Sequence, residues 1–423
     1  MTSATRSAPD SAALIDGPYA WRRLAASLGL GTIGSVGFWG VVVILPAVQA
    51  EFAIDRADAS IPYSLTMAGF GIGNVLIGRV VDRLGIVRPV IAAALTLGLG
   101  FIGAAFATSI WQFALFQGLL IGVGTASTFG PLIADVSHWF RRRRGIAVAT
   151  CASGNYVGGA LWPLAMEVVT SGYGWRTTYI AIGCVCIATM VPLALTLRRP
   201  PPKEDPDATA AALAQAPGRP RVAQDRSIAL SQRALLILLS IAGIGCCVAT
   251  SMPQVHIVAY CGDLGYGTER GAEMLSLMLA AGAVSRVVSG GIADYIGGVR
   301  MLLIGSSLQA LSLVFYLPFD GLMSLYVISS LFGLAQGGIV PCYAIIVREY
   351  MPARVAAERV GIVIMMTLVG MSFGGWVSGW IFDRTGSYHT AFVNGIAWNL
   401  LNIAIMSFIL WRTRLPRAPV LSA

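Results

Sequence analysis

Charge is scarce in this chain. Of its 423 residues, 12% are Asp, Glu, Lys or Arg, about half the usual share of soluble proteins. A soluble chain of this length would make two or three domains with charged surfaces, and that class is excluded. Histidine is rarer still, with three residues, and the seven cysteines contain no C-x-x-C pair. That leaves no metal-ligand cluster and no disulfide framework. Cys151, Cys184, Cys186, Cys246, Cys247, Cys261 and Cys342 lie mostly in apolar runs and read as small core residues. No glycine-rich phosphate loop precedes a Lys-Ser or Lys-Thr pair, so gradient energy must drive any work done. No enzymatic activity, cofactor or metal is expected. The first twenty residues, "MTSATRSAPDSAALIDGPYA", lack the apolar core of a signal peptide, and this tail is expected to stay in the cytoplasm.

What is present is apolar. The chain is 56% hydrophobic and holds 49 glycines, a composition that suits membrane helices packed through small residues. A bilayer core needs about 20 apolar helical residues. Twelve runs qualify: 24–48, 60–81, 89–108, 111–135, 145–168, 177–197, 234–260, 272–293, 300–318, 322–347, 356–380 and 390–411. The fold class is an all-α membrane protein of twelve spans. With the N-terminus inside, the inner segments hold 24 Arg and Lys residues and the outer segments hold Arg56, Arg176, Arg270 and Arg384. Cationic residues favour the cytoplasmic side, so both termini are expected there, in an inner (plasma) membrane. The net charge of +9 is spread in small groups between spans, which fits membrane anchoring and anionic lipid, not nucleic acid.

The segment "RRPPPKEDPDATAAALAQAPGRPRVAQDRS", residues 198–227, is too rich in Pro, Ala and charge to bury a core. The expected organisation is a tail over 1–23, a six-helix half over 24–197, a linker over 198–233, a second half over 234–411, and a tail over 412–423. The halves repeat. "GRVVDRLGIVR" follows span 2 and "GGIADYIGGVR" follows span 8; Gly78, Asp82, Gly85 and Arg88 match Gly290, Asp294, Gly297 and Arg300, each pair 212 residues apart. Such a fixed offset indicates duplication of the six-helix unit.

The glycine–aspartate–glycine–arginine loop, present in both halves, resembles the signature loop of the major facilitator superfamily. "WFRRRRGIAVATCASGNYVG", residues 139–158, is similar to the monocarboxylate transporter signature in Phe140, Arg143, Arg144, Ala147, Gly154 and Gly158. "DGPYAW", residues 16–21, resembles that family's other signature, and the similarity extends to the oxalate:formate antiporter branch. The resemblance implies two pseudo-symmetric six-helix halves that rock about a central site. It also implies that Gly78, Asp82, Arg83, Gly85 and Asp294 latch the cytoplasmic side. Three positions depart from it. Ile44 stands where lactate and pyruvate carriers have lysine, and Gly282 where they have aspartate. Residues 361–382 lack the lysine of the oxalate branch.

One cation lies inside a span. Arg286 precedes Asp294 by eight residues, about 12 Å of helix. An arginine at that depth costs roughly 2.5–3.5 kcal/mol on insertion scales and needs a polar cavity or a partner. Asp135 and Glu167 lie near span ends and do not supply one. A guanidinium pairs two-pronged with a carboxylate, so Arg286 is the expected anion site; its counterpart in the first half is Asn74. His256, near Pro253 in span 7, is a candidate for substrate contact and for carrying a proton. The alternative is an imidazole tied to a backbone carbonyl. Asn155, Trp162, Phe129 and Tyr343 are further candidates for the substrate wall, against a packing role.

The expected function is secondary transport of a small organic anion, foremost a monocarboxylate, with symport and exchange both open. The expected partners are a small carboxylate, protons and membrane lipids, with the monomer as the working unit. Two rivals remain. An exporter on the same fold would tolerate neutral or cationic substrates. A non-transporting sensor would need a signalling module that the linker does not supply.

Overall fold

Inside a bilayer, a backbone polar group left unpaired costs several kcal/mol, so a spanning chain pairs its own N–H and C=O groups as helix. The computed structural model follows that rule. It describes residues 15–140, 143–199, 228 and 230–413, and among these it contains helices and no strand. Eleven helices are long and apolar enough to cross a membrane. One of them, Gly145–Leu195, has 51 residues, about 77 Å at the helical rise and more than twice a bilayer core. It is broken at Gly174, where φ is 79° and ψ is 161°. That left-handed region is open to glycine at little cost. The break gives spans 5 and 6 and makes twelve.

The remaining spans are Pro18–Phe52, Arg56–Val81, Val87–Ala105 and Ile110–Trp139 in the first half. In the second they are Gln232–Asp263, Thr268–Ala293, Gly298–Phe315, Leu322–Tyr350, Glu358–Thr385 and Tyr388–Thr413. Several run past the apolar windows. Span 1 begins at Pro18, a favoured first helical residue, and takes in Arg22 and Arg23. A charged residue at a span end is helix-compatible although it fails a hydrophobicity criterion. The linker expected over 198–233 lies mostly outside the described residues.

Three spans are discontinuous. Span 1 is divided at Ser35. Span 4 passes through a π-helical stretch, Phe116–Gly122, ends its regular turns at Ala126 and restarts at Gly130. Span 10 stops at Gln336 and restarts at Ile339. The breaks in spans 4 and 10 occupy equivalent places in the two halves. Irregular backbone at membrane depth survives where protein or a cavity satisfies it. Span 7 is one helix from Gln232 to Asp263, with Pro253 buried inside it.

The halves meet through spans 2 and 11 and through spans 5 and 8. We call the face where span 1 begins and span 12 ends the terminal face. Contact between the halves is tight on the opposite face. A Cβ on Gly379 would lie 2.8 Å from the Arg56 carbonyl oxygen; at mid-depth, one on Gly159 would lie 2.7 Å from Leu279. On the terminal face, a Cβ on Gly78, Gly145, Gly290, Gly291 or Gly361 would meet nothing within 4 Å. Glycines at the opposite face such as Gly265 and Gly386 are also unopposed. Every hydrogen bond between described residues of the two halves, however, lies at the opposite face or at mid-depth. The molecule is therefore closed on the opposite face and parted on the terminal one.

Candidate anion site and gate

Arg286 lies 18 residues into the span-8 helix and 10 residues before its end at Ile296. Those counts place it about 27 Å from the opposite face and about 15 Å from the terminal one. Its guanidinium carbon sits 4.3 Å from the centroid of the Tyr156 ring, within cation–π range. Nε donates a long hydrogen bond, 3.4 Å, to the carbonyl oxygen of Gly337 in the span-10 break. Ser285 fixes span 8 beside it, donating to the Leu334 carbonyl oxygen at 2.5 Å. Among the described residues no carboxylate pairs with Arg286. Among the described residues its two terminal nitrogens make no hydrogen bond.

Tyr156 belongs to the other half, so the arginine's support spans the interface. The Tyr156 hydroxyl contacts Gln336 Oε1 at 3.4 Å. Gly282, one turn before Arg286, makes this possible: a Cβ there would come within 2.7 Å of Tyr156 Cε1. The departure at Gly282 from the resembled pattern thus leaves room for an aromatic ring. Sequence reasoning missed Tyr156 and Gln336 and chose Asn155. The missed signal is helical phase. Gly154 and Gly158 press against span 1, with Leu28 and Thr32 as neighbours. Tyr156, two residues on, is about 200° around the helix and faces away from span 1.

The same phase explains Trp162, which shares the face of Gly154 and Gly158 and donates through Nε1 to the Thr32 carbonyl oxygen at 2.9 Å. Asn155 is half-buried, and its carbonyl oxygen accepts from Trp39 Nε1 at 3.4 Å. Phe129 stands at the span-4 break, 6.1 Å from Phe70, which meets Phe38 edge-on at 4.5 Å. Asn74, the counterpart of Arg286, donates to the Phe70 carbonyl oxygen at 3.0 Å. A Cβ on Gly130 would lie 2.7 Å from Asn74 Oδ1. Each half thus sets a polar span residue opposite a helix break: Asn74 among aromatics in one, Arg286 in the other. Tyr343 is set apart from this group. It is fully buried within the second half and donates to Asn402 Oδ1 at 3.1 Å.

His256 is not beside Arg286. It lies seven residues from the end of span 7 at Asp263, about 10 Å from the opposite face and so some 16 Å nearer to it than Arg286. It is part of a bonded cluster that closes that face. Arg56, at the start of span 2 and 7% exposed, donates to Gln49 Oε1 at 2.8 Å, to Asp263 Oδ2 at 2.8 Å and to the Tyr388 hydroxyl at 2.6 Å. The Tyr388 hydroxyl is 3.3 Å from His256 Nδ1, and His256 Nε2 is 2.8 Å from the Gly375 carbonyl oxygen. Asp383 accepts from the backbone N–H groups of Arg56 and Ala57 at 2.9 and 2.7 Å. It thereby caps span 2, whose own N-cap residue, Asp55, makes no side-chain cap bond. Thr268 and Glu167 add a bond at 2.8 Å between spans 8 and 5. Gln49 apart, every one of these bonds to Arg56 crosses from one half to the other.

On the terminal face the two signature segments meet. Asp16 N–H donates to the Trp139 carbonyl oxygen at 3.0 Å. Tyr19 packs on Trp139 and Trp21 on Phe140. Arg23, 2% exposed, holds Asp135 through Nε and Nη2 at 2.6 and 2.7 Å. The signatures therefore build a strut for the first half. Of the expected latch, Gly85 closes span 2 with φ 72°; its repeat partner Gly297 closes span 8 with φ 89°. Gly78 is unopposed and Arg83 is exposed. The side chains of Asp82 and Asp294 lie outside the described residues.

A family model described as Major Facilitator Superfamily matches residues 28–358 and 274–423. Monocarboxylate transporter 13 of Rattus norvegicus is 27% identical over 391 residues, covering 89% of this chain and 86% of that protein. Monocarboxylate transporter 11 of Homo sapiens is 24% identical over 407 residues, covering 93% and 83%. Among solved structures, a bacterial homologue of the human lysosomal transporter Spinster, inward-facing and unoccupied, superposes with a TM-score of 0.71. It is 14% identical and covers 94% of this chain and 97% of that one. At that identity the likeness speaks for the fold alone.

Proposed function

The chain belongs to the major facilitator superfamily, a family of membrane transporters, and on that premise we propose that it moves a small monocarboxylate by alternating access. The observation that carries this is Arg286: a mid-depth guanidinium, stacked on Tyr156 of the other half and free of any described carboxylate. Its planar fork matches a carboxylate in two-point geometry. The aromatic group around Phe129, Phe70 and Phe38 offers an apolar wall in the first half for the substrate's hydrocarbon part. The names of the similar monocarboxylate transporters agree with this chemistry.

In this reading the terminal face is cytoplasmic, in line with the excess of Arg and Lys there, and the closed face is the outer one. The Arg56 cluster is the outer gate. Gly78, Asp82, Arg83, Gly85 and Asp294 hold the cytoplasmic side shut in the alternate state. Trp162 and Asn155 brace span 5 against span 1, Tyr343 ties span 10 to span 12, and His256 serves the gate.

The test is a thermal-shift screen of the purified protein against carboxylates of two to eight carbons and their neutral amides. A ligand that binds only the folded form at about 100 times its Kd stabilises by about 2.7 kcal/mol. Short carboxylates should raise the melting temperature and amides should not. Equal stabilisation by amides or by cations would favour the exporter.

A further inference from the structure

We propose that His256 is a proton-binding site built into the outer gate, and that the gate shuts only over a neutral imidazole. The inference rests on the transport reading for what the gate does, and on hydrogen-bond direction for the rest.

A backbone carbonyl can only accept. The 2.8 Å contact between His256 Nε2 and the Gly375 oxygen therefore puts the ring proton on Nε2. A guanidinium can only donate, so at 2.6 Å from Arg56 Nη1 the Tyr388 oxygen is an acceptor. Tyr388 has a single hydroxyl hydrogen, and it goes to His256 Nδ1 at 3.3 Å. The chain of donors runs one way, from Arg56 through Tyr388 and His256 to Gly375, and every hydrogen in it is assigned.

A second proton on the ring breaks this arrangement. An Nδ1–H would point at a Tyr388 oxygen that already accepts from Arg56, so that oxygen would have to accept twice and its own hydrogen turn away from the ring. Two cations would then stand on either side of one hydroxyl. The groups around the imidazole do not relieve this. Asp263, on the same span, has both oxygens on Arg56 at 2.8 and 3.3 Å. Asp383, on span 11, has both on the N–H groups of Arg56 and Ala57. Tyr63 of span 2 lies against Gly375, and Tyr260 of span 7 packs edge-on against the Tyr388 ring. Neither tyrosine is an anion at neutral pH. His256 itself is fully buried.

The arrangement admits the proton once Arg56 withdraws from Tyr388. Arg56 belongs to the first half; Tyr388, Asp263, Asp383 and His256 belong to the second. Withdrawal is thus the opening of the gate. The open gate binds one more proton than the closed one, so acidity shifts the molecule towards open. A proton taken up from outside must leave His256 before the gate can shut, which ties the movement of the halves to the movement of the proton.

The test needs no substrate. Spin labels go on Thr108→Cys and Asp320→Cys, two exposed positions on the closed face, in a Cys184→Ala chain; the other six native cysteines are buried. The distance between labels is read at about pH 7.5 and about pH 5, across the range where imidazole titrates. The wild type should show a short distance at the higher pH and a growing long-distance population at the lower. With one linked proton, the open-to-closed ratio changes by at most about tenfold per pH unit. His256→Gln keeps a donor and an acceptor without taking a charge and should stay short at both. Tyr388→Phe breaks the chain while leaving the imidazole and should weaken the response. Three outcomes would overturn the proposal: an unchanged wild-type distance, a His256→Gln protein that responds like the wild type, or one that stays open at both values. Carboxylate binding, read separately at constant pH, decides the Arg286 site, so either idea can fail alone.

Discussion

A Cβ on Gly282 would come within 2.7 Å of Tyr156 Cε1 and 3.2 Å of Gln336 Nε2. Gly282→Ala should therefore push the Tyr156 ring off Arg286. Loss of the cation–π contact forfeits roughly 0.5–2 kcal/mol, so carboxylate affinity should fall by a few-fold to about thirtyfold. Calorimetry of a short carboxylate against both proteins reads it; unchanged affinity would show that Tyr156 does not hold the arginine in place. Arg286 was legible in the sequence because a cation in an apolar run is expensive and calls for a reason. Tyr156 was not, since an aromatic among apolar residues costs nothing and draws no attention. The Gly154/Gly158 pair would have phased the helix, and with it the opposite faces of Tyr156 and Trp162. His256 was legible as a polar residue. Its partners Tyr388 and Gly375 are 132 and 119 positions away along the chain, and no local pattern joins them.

At the level of elements, the spans were readable because the bilayer imposes their length and composition. The breaks at Ser35, Ser127–Phe129 and Gly337–Gly338 were not, because they depend on what packs across them. One sequence signal for the gate was available. "GWIFDRTG", residues 379–386, repeats the G-x-x-x-D-R-x-G spacing of "GRVVDRLG", residues 78–85. The copy at 379–386 ends span 11 and carries Asp383, which caps span 2 on the closed face. Asp383→Asn removes the charge that meets the helix N-terminus. A charge-assisted bond is worth about 1.5–3 kcal/mol against about 1 for a neutral one, so the closed state should lose roughly a factor of ten. The Thr108–Asp320 label pair at neutral pH would show a longer-distance population. An unchanged distribution would reduce Asp383 to a local cap.

As a whole, the molecule is closed on one face by bonds that cross between its halves and parted on the other, with Arg286 in between, nearer the parted end of its helix. The central claim is that this arginine waits for a carboxylate. Arg286→Lys keeps the charge but replaces a planar fork by a point charge. No described carboxylate depends on Arg286, so the fold should tolerate the change. Losing one charge-assisted bond costs about 1.5–3 kcal/mol, or about ten- to a hundredfold in affinity. The deciding measurement is calorimetric titration of short monocarboxylates into the purified wild type and Arg286→Lys, with melting temperatures taken alongside. The account predicts binding to the wild type, affinity about ten- to a hundredfold weaker in the variant, and a melting temperature held to within a few degrees. Wild-type affinity in Arg286→Lys would contradict it, as would lost binding accompanied by a collapsed melting temperature, which would make Arg286 a structural cation.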